Sequence, residues 1–160
     1  MVLIITISTI ASFVFTAIML FMYAVLDFRA RKVPNQIFWI GGIMGLAVVL
    51  RFGHIVDYAL LHLTAVLLAL ILGYILFRIG SLGGADVKAL LSIAIISPGI
   101  EFASWENPIL EGIVAVGFQL VIMLLCGYLI SRRKTDETKV IPLIPILFGA
   151  YLMLQLLALL

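Results

Sequence analysis

Long apolar runs, broken by short polar stretches, dominate the pattern along the chain. Charged and turn-forming residues divide these runs into six segments of 11 to 26 residues. Apolar residues are continuous within each segment and do not alternate with polar ones, which favours helices over strands. The predicted helices are Met1–Leu26, Gln36–Leu50, Tyr58–Phe77, Val87–Ser97, Pro108–Ile130 and Val140–Leu160.

Composition places these helices in a membrane. Hydrophobic residues make up 65% of the chain, charged residues 11%, and the mean hydropathy is +1.32, which lies outside the range of soluble domains. A spanning helix needs about 20 apolar residues. We therefore predict an all-α membrane protein, a polytopic bundle of six transmembrane helices. Short connections and the lack of a repeat predict one transmembrane domain over residues 1–160, with the first segment retained as a span because it lacks a signal-peptide pattern.

The positions of the basic residues predict the orientation. Nine of the ten Lys and Arg residues fall in three linkers, Asp27–Asn35, Arg78–Lys88 and Ser131–Lys139, and only Arg51 falls elsewhere. Cytoplasmic loops retain such residues, so we expect these linkers to face the cytoplasm and both termini to face out. The protein is then a multi-pass protein of the plasma membrane.

Two further features concern packing and depth. Gly41 and Gly45 form a small-xxx-small pattern that predicts close helix contact. The segment Val87–Ser97 has 11 residues, or about 16 Å of helix, roughly half of the hydrocarbon thickness. We therefore expect Asp86, at its start, to lie below the membrane surface in a sheltered position.

Two acidic residues stand at the ends of apolar segments. Asp27 follows 26 uncharged residues, and Asp86 follows Gly83 and Gly84; intramembrane ionisable groups are costly and usually functional. The alternatives are a juxtamembrane anchor, in which Asp27 pairs with Arg31 and Pro34 ends the helix, and an N-cap role for Asp86. Because both acids are predicted on the cytoplasmic side, we interpret them as a pair that shares a proton and activates water.

Other catalytic chemistries lack their residues. Cys126 is the single cysteine, so we expect neither a disulfide bond within the chain nor a metal site built from thiolates. The sequence also lacks the HExxH motif of zinc proteases and the GxSxG motif of serine hydrolases. His54 and His62 are predicted on the outer side, away from the aspartates, as packing or interfacial residues. We expect no cofactor, no metal ion and no nucleic-acid partner.

Three stretches resemble a known family. DFRARKVPN at Asp27–Asn35, GGADVKAL at Gly83–Leu90 and IPLIPILFGAYL at Ile141–Leu152 are similar to blocks of the type IV prepilin peptidases, which include the archaeal preflagellin peptidases. These are GxGD-type intramembrane aspartyl proteases. The likeness, together with the six-segment layout, covers nearly the whole chain.

The resemblance implies roles for particular residues. Asp27 and Asp86 would be the two catalytic aspartates. Gly83 and Gly84 permit backbone torsions that are closed to other residues, as well as a close approach by another chain. Ala85 stands where the strict motif has its second glycine, so the backbone before Asp86 becomes a point to examine. The residues that would support the motif are Gly83, Gly84, Ala85, Lys88, Pro34 and Asn35.

The resemblance also implies a substrate. The protein would remove short basic leader peptides from pilin-like or flagellin-like precursors at the cytoplasmic membrane face. Its environment would be the lipid bilayer, and a homo-oligomer is compatible with these features. With one cysteine and short loops, the chain resembles a peptidase without a second activity. The alternatives are a small proton- or cation-coupled transporter that uses the same two acids, and a non-catalytic assembly subunit. The Gly-Gly-x-Asp context and the order of the blocks favour the peptidase.

Overall fold

Helices form nearly all of the structure. The computed structural model of the protein describes residues 2–3, 5–133 and 141–157. Lys134 and Lys139 of the third basic linker, and the ends of the first and last predicted segments at residues 1, 4, 140 and 158–160, lie outside the described residues. The elements are β1 (Val2–Leu3), α1 (Ile7–Ala30), α2 (Asn35–Arg51), α3 (His54–Asp57), α4 (Ala59–Arg78), α5 (Gly84–Ile96), β2 (Ala103–Ser104), α6 (Pro108–Arg133) and α7 (Ile144–Leu157).

The prediction of an all-α membrane protein is confirmed. Each of the six predicted segments corresponds to one of the helices α1, α2, α4, α5, α6 and α7. In the described part of the chain, α1, α4 and α6 are long and apolar enough to cross a membrane, and α2 and α7 are shorter apolar helices. Two features were not predicted: the four-residue helix α3, which begins after Gly53 at φ 75°, and the antiparallel pairing of the two-residue strands β1 and β2.

Helix α5 lies at the centre of the bundle and packs against α1, α2, α4 and α7. Its residues Leu90, Ile93 and Ile96 are at most 1% exposed and belong to the main hydrophobic core. Because consecutive long helices run in opposite directions, the C-terminal ends of α1, α4 and α6 meet the N-terminal ends of α2, α5 and α7. Asp27 and Asp86 both lie at this end of the bundle.

The predicted close packing at the glycine pair of α2 is confirmed. Gly41 and Gly45 are both buried. A Cβ atom on Gly41 would overlap the Tyr23 hydroxyl oxygen, and one on Gly45 would overlap the Ile96 side chain. The lack of side chains at these two positions therefore lets α2 approach α1 and α5.

A buried polar cluster closes the opposite end. His54 contacts His62 through Nδ1 and Nε2 at 2.9 Å, and its Nε2 contacts Glu101 Oε2 at 2.8 Å. Gln155 accepts a hydrogen bond from the Glu101 N–H at 2.9 Å and donates one to the Gly99 carbonyl oxygen at 3.0 Å. The two histidines, treated separately in the sequence, are thus bonded to each other, and the cluster ties α3, α4 and α7 to the loop before β2.

The glycines of α2 give a test of this packing. We expect Gly45→Ala to lower the stability by about 1–3 kcal/mol, because the added methyl group overfills a packed contact. Gly42→Ala is the matched control: a Cβ there meets no atom within 4 Å, and alanine is the better helix former by up to about 1 kcal/mol. Thermal unfolding in detergent measures both variants, and a midpoint for Gly45→Ala at or above that of Gly42→Ala would contradict the packing described here.

Candidate active site

Asp27 lies in the last turn of α1. The helix ends at Ala30 because Arg31 adopts a left-handed conformation, with φ 54° and ψ 20°, and its N–H donates to the Asp27 carbonyl oxygen at 3.0 Å. The prediction that Pro34 ends α1 was wrong. Pro34 instead precedes α2 as its N-cap, with φ −59°, and its ring keeps the preceding residue out of the helical region.

The Asp27 carboxyl group is held by the start of α7. Its Oδ2 accepts a hydrogen bond from the Ile144 N–H at 3.3 Å. Ile144 is the first residue of α7, so its N–H has no acceptor within the helix, and Pro145 after it has no N–H at all. The sequence analysis missed this partner, although the prolines of IPLIP mark a helix start with a free N–H. A helix N-terminus also favours a negative charge.

Asp86 lies in the first turn of α5. It is the third helical residue, and its Oδ2 accepts a hydrogen bond from the N–H of Gly83, the N-cap residue, at 2.8 Å. The alternative that Asp86 itself is the N-cap is therefore wrong. Asp86 is 8% exposed, as expected for a sheltered position.

The glycine before the start of α5 leaves room for the Asp86 side chain, and its backbone torsions are ordinary. Gly83 has φ −78° and ψ 157°, a conformation open to any residue, so the expectation of special backbone angles was wrong. A Cβ on Gly83 would lie 2.9 Å from Asp86 Oδ2, whereas one on Gly84 would make an ordinary 3.7 Å contact with Phe77. Ala85 is helical, so the backbone needs no second glycine there.

Asp27 and Asp86 lie at the same end of the bundle, where their charges interact, although they are 59 positions apart along the chain. Both residues are 8% exposed, on helices that pack against each other. Arg31 also interacts electrostatically with Asp27, as the anchor alternative expected. The hydrogen bond of the Asp27 side chain, however, goes to α7. The arrangement brings two carboxyl groups, each bound by a helix-start N–H, into one poorly hydrated region.

A cavity of about 700 Å³ adjoins Asp86. It lies between the α4–α5 turn, α6 and the start of α7, and Ser81, Tyr128 and Ser131 supply polar groups to its wall. Asp27 is not among the residues that line it. The volume is within the range of known ligand sites.

Lys88 of α5 and Asn35 of α2, both predicted to support the motif, contact each other away from this cavity. Lys88 Nζ donates to Asn35 Oδ1 and stands 5.8 Å from the centroid of the Phe38 ring. Neither residue lines the cavity beside Asp86. Together they connect the start of α5 to the start of α2.

Comparisons with known proteins place the chain in a family. No curated protein and no solved structure matches it. The sequence profile of the type IV leader peptidase family matches residues 14–159, a range that contains both aspartates and all three stretches of the predicted resemblance. The chain belongs to the type IV leader peptidase family, and it is a peptidase with membrane-spanning helices.

Proposed function

We propose that the protein is an aspartyl endopeptidase that removes short basic leader peptides from prepilin-like or preflagellin-like precursors at the cytoplasmic membrane face. The observation that carries the proposal is the placement of Asp27 and Asp86 at the same end of the bundle, on helices that pack against each other, with Asp86 beside a cavity of about 700 Å³. Membership of the family supports a peptidase in general. The choice of the two acids as the catalytic pair rests on their geometry.

The proposed reaction uses one proton held between the two carboxyl groups. The ionised carboxylate takes a proton from a water molecule, whose oxygen attacks the carbonyl carbon of the scissile bond, while the protonated carboxyl group donates to the carbonyl oxygen. The tetrahedral intermediate then collapses and the C–N bond breaks. The carboxyl group that took the proton from water gives it to the leaving amine, and the other carboxylate takes back a hydroxyl proton of the intermediate as the carbonyl re-forms. The products are a leader with a new carboxylate and a mature chain with a new amino terminus.

The hydrogen bonds at the two helix starts suit this chemistry. The N–H groups of Gly83 and Ile144 each bind Oδ2 of one aspartate and so orient its carboxyl group. Oδ1 of each aspartate then remains for water or substrate. Because the orienting groups are backbone atoms of packed helices, the geometry is fixed before substrate arrives, which is the condition for efficient proton transfer.

The lining of the cavity supports a basic leader as the occupant. The residues described around it include one acid, Asp86, and no Lys or Arg. The linkers at this end of the bundle are basic and would repel such a leader at a distance. Inside the cavity the Asp86 carboxyl group supplies the opposite charge, and electrostatic complementarity at that range favours the correct partner.

We propose that the protein lies in the plasma membrane and crosses it six times. Both termini are then outside the cell, and the aspartates face the cytoplasm. In the part of the chain that the structure describes, Arg51 is the one basic residue at the end opposite the aspartates, which supports the assignment. Labelling of intact cells with an impermeant thiol reagent tests it. Cysteine at Asp57 should react from outside and cysteine at Ser81 should not; the reverse pattern would contradict the orientation.

The central substitutions are Asp27→Asn and Asp86→Asn. Each removes a group that holds or takes up the proton, so we expect each to lower the rate of precursor cleavage by about 10²- to 10⁴-fold. Asp57→Asn is the matched control, because Asp57 is exposed at the other end of the bundle. Cleavage of a purified precursor in detergent measures the three variants, and near-normal activity of either site variant would remove that aspartate from the mechanism.

The contact between Gly83 and Asp86 gives a second test. The methyl group of Gly83→Ala would displace Asp86 Oδ2 from the Gly83 N–H, and loss of a hydrogen bond to a charged group costs about 1.5–3 kcal/mol. We expect cleavage to slow by about 10- to 100-fold. Gly84→Ala should stay within about threefold of wild type, since its methyl group makes only an ordinary contact. Equal activity of the two alanine variants would show that the space beside Gly83 does not position Asp86.

A further inference from the structure

A second, apolar groove lies between α2 and α5. It has a volume of about 380 Å³ and shares no lining residue with the cavity beside Asp86. On its outer rim, Trp39 and Ile43 are 72% and 64% exposed, so the groove opens away from the bundle, where lipid would surround a membrane protein. Its lining residues are Asn35, Phe38, Trp39, Gly42, Ile43, Leu46, Lys88, Leu91, Ser92 and Ile95.

The polar groups of this groove are gathered at one end. Asn35 and Lys88 lie at the starts of α2 and α5, with Ser92 one turn further along α5. The other lining side chains are apolar except for the indole N–H of Trp39. From Asn35 to Leu46, α2 advances by about 16 Å. This length is about half of the roughly 30 Å hydrocarbon core, and so matches the depth of one lipid leaflet.

Lys88 brings an uncompensated positive charge to the polar end. Its Nζ donates to the neutral Asn35 side chain and lies over the Phe38 ring. Over the described ranges, the one ion pair within 4.0 Å joins His54 to Glu101 at the other end of the bundle. An ammonium group above an apolar slot of leaflet depth is complementary to a phosphate group attached to an acyl chain.

We propose that this groove binds an anionic phospholipid, with the phosphate on Lys88 Nζ and one acyl chain along α2 and α5. A neutral phospholipid carries a compensating cation on its headgroup, so the net negative charge distinguishes the two classes. The bound lipid would hold α2 against α5, the helix that carries Asp86. Binding at this site does not depend on the proposed reaction, because the groove is separate from the catalytic cavity.

Trp39 provides a reporter of occupancy. In a Trp105→Phe background it is the single tryptophan, and it lines the groove. The protein is placed in phosphatidylcholine nanodiscs that contain a small fraction of acyl-brominated phosphatidylglycerol or, in the matched sample, acyl-brominated phosphatidylcholine. Bromine quenches tryptophan fluorescence on contact, so the dependence on mole fraction gives the relative affinity of the two lipids for the groove.

We expect the groove to bind phosphatidylglycerol more tightly than phosphatidylcholine. Lys88→Gln should reduce this preference by about fivefold, which corresponds to the ~1 kcal/mol that one Lys contributes near a charged membrane surface. Gly42→Leu should also reduce quenching by the anionic lipid, because a Cβ at Gly42 points into open space that the larger side chain would fill. Gly117→Leu is the control for it: a Cβ there likewise meets no atom within 4 Å, and Gly117 does not line the groove.

Three results would overturn the proposal. Equal quenching by the two lipids would show that the groove does not select for charge. An unchanged preference in Lys88→Gln would place the anionic site elsewhere. Protection of Trp39 by an added precursor peptide, with no preference between the lipids, would assign the groove to the apolar segment of the substrate instead. None of these readouts uses peptide cleavage, so a failure of the lipid site and a failure of the proposed protease mechanism are distinguishable.

Discussion

A carboxyl group at the edge of the hydrocarbon layer must be solvated by the protein, and the rest of this structure follows from that requirement. Burial of a charge without partners costs far more than any single packing contact contributes. Here the partners are the free N–H groups at two helix starts: Gly83 before α5 binds Asp86, and Ile144 of α7 binds Asp27. Every helix start has such unpaired N–H groups, so the fold supplies the solvation without additional buried side chains.

This constraint explains the division of the molecule into two unlike ends. At the end with His54, His62 and Glu101, buried polar side chains are bonded to one another and fasten the helices. At the other end, both aspartates accept backbone hydrogen bonds, and Asp86 lines a cavity. A fixed end opposite a more open end suits the proposed mechanism, in which two acids are held in place beside a bound peptide. Close packing at Gly41 and Gly45 keeps α2 against α1 and α5 between these ends.

Much of this arrangement could be predicted from the sequence, because membrane insertion constrains the pattern so strongly. Uninterrupted apolar runs predicted all six long helices, and isolated charges at their ends predicted that Asp27 and Asp86 lie at one end of the bundle. The family resemblance, drawn from DFRARKVPN, GGADVKAL and IPLIPILFGAYL, agrees with the matched profile. Such signals are local, and each depends on residues that are near one another in sequence.

The features that were missed depend on contacts between distant residues. The hydrogen bond from Ile144 to Asp27 joins positions 117 residues apart, and no periodicity indicates it. Gly83 suggested unusual backbone torsions, since sequence reasoning cannot distinguish a glycine required for its φ angle from one required for the space beside it. Pro34 was assigned to the wrong helix end because a proline fits both the residue after one helix and the residue before the next. The grooves beside α5 arise from packing, which a single sequence does not specify.

The most direct test of the central claim is the proximity of the two acids in the folded protein. Asp27→Cys and Asp86→Cys, combined in a Cys126→Ser background, should be joined by a short bifunctional thiol reagent, and mass spectrometry of the digested protein should detect the linked peptides. The pair Asp27→Cys with Asp57→Cys, at opposite ends of the bundle, should not be joined. Absence of the first link under conditions in which both cysteines react singly, or labelling of the two positions from opposite sides of the membrane, would contradict the account.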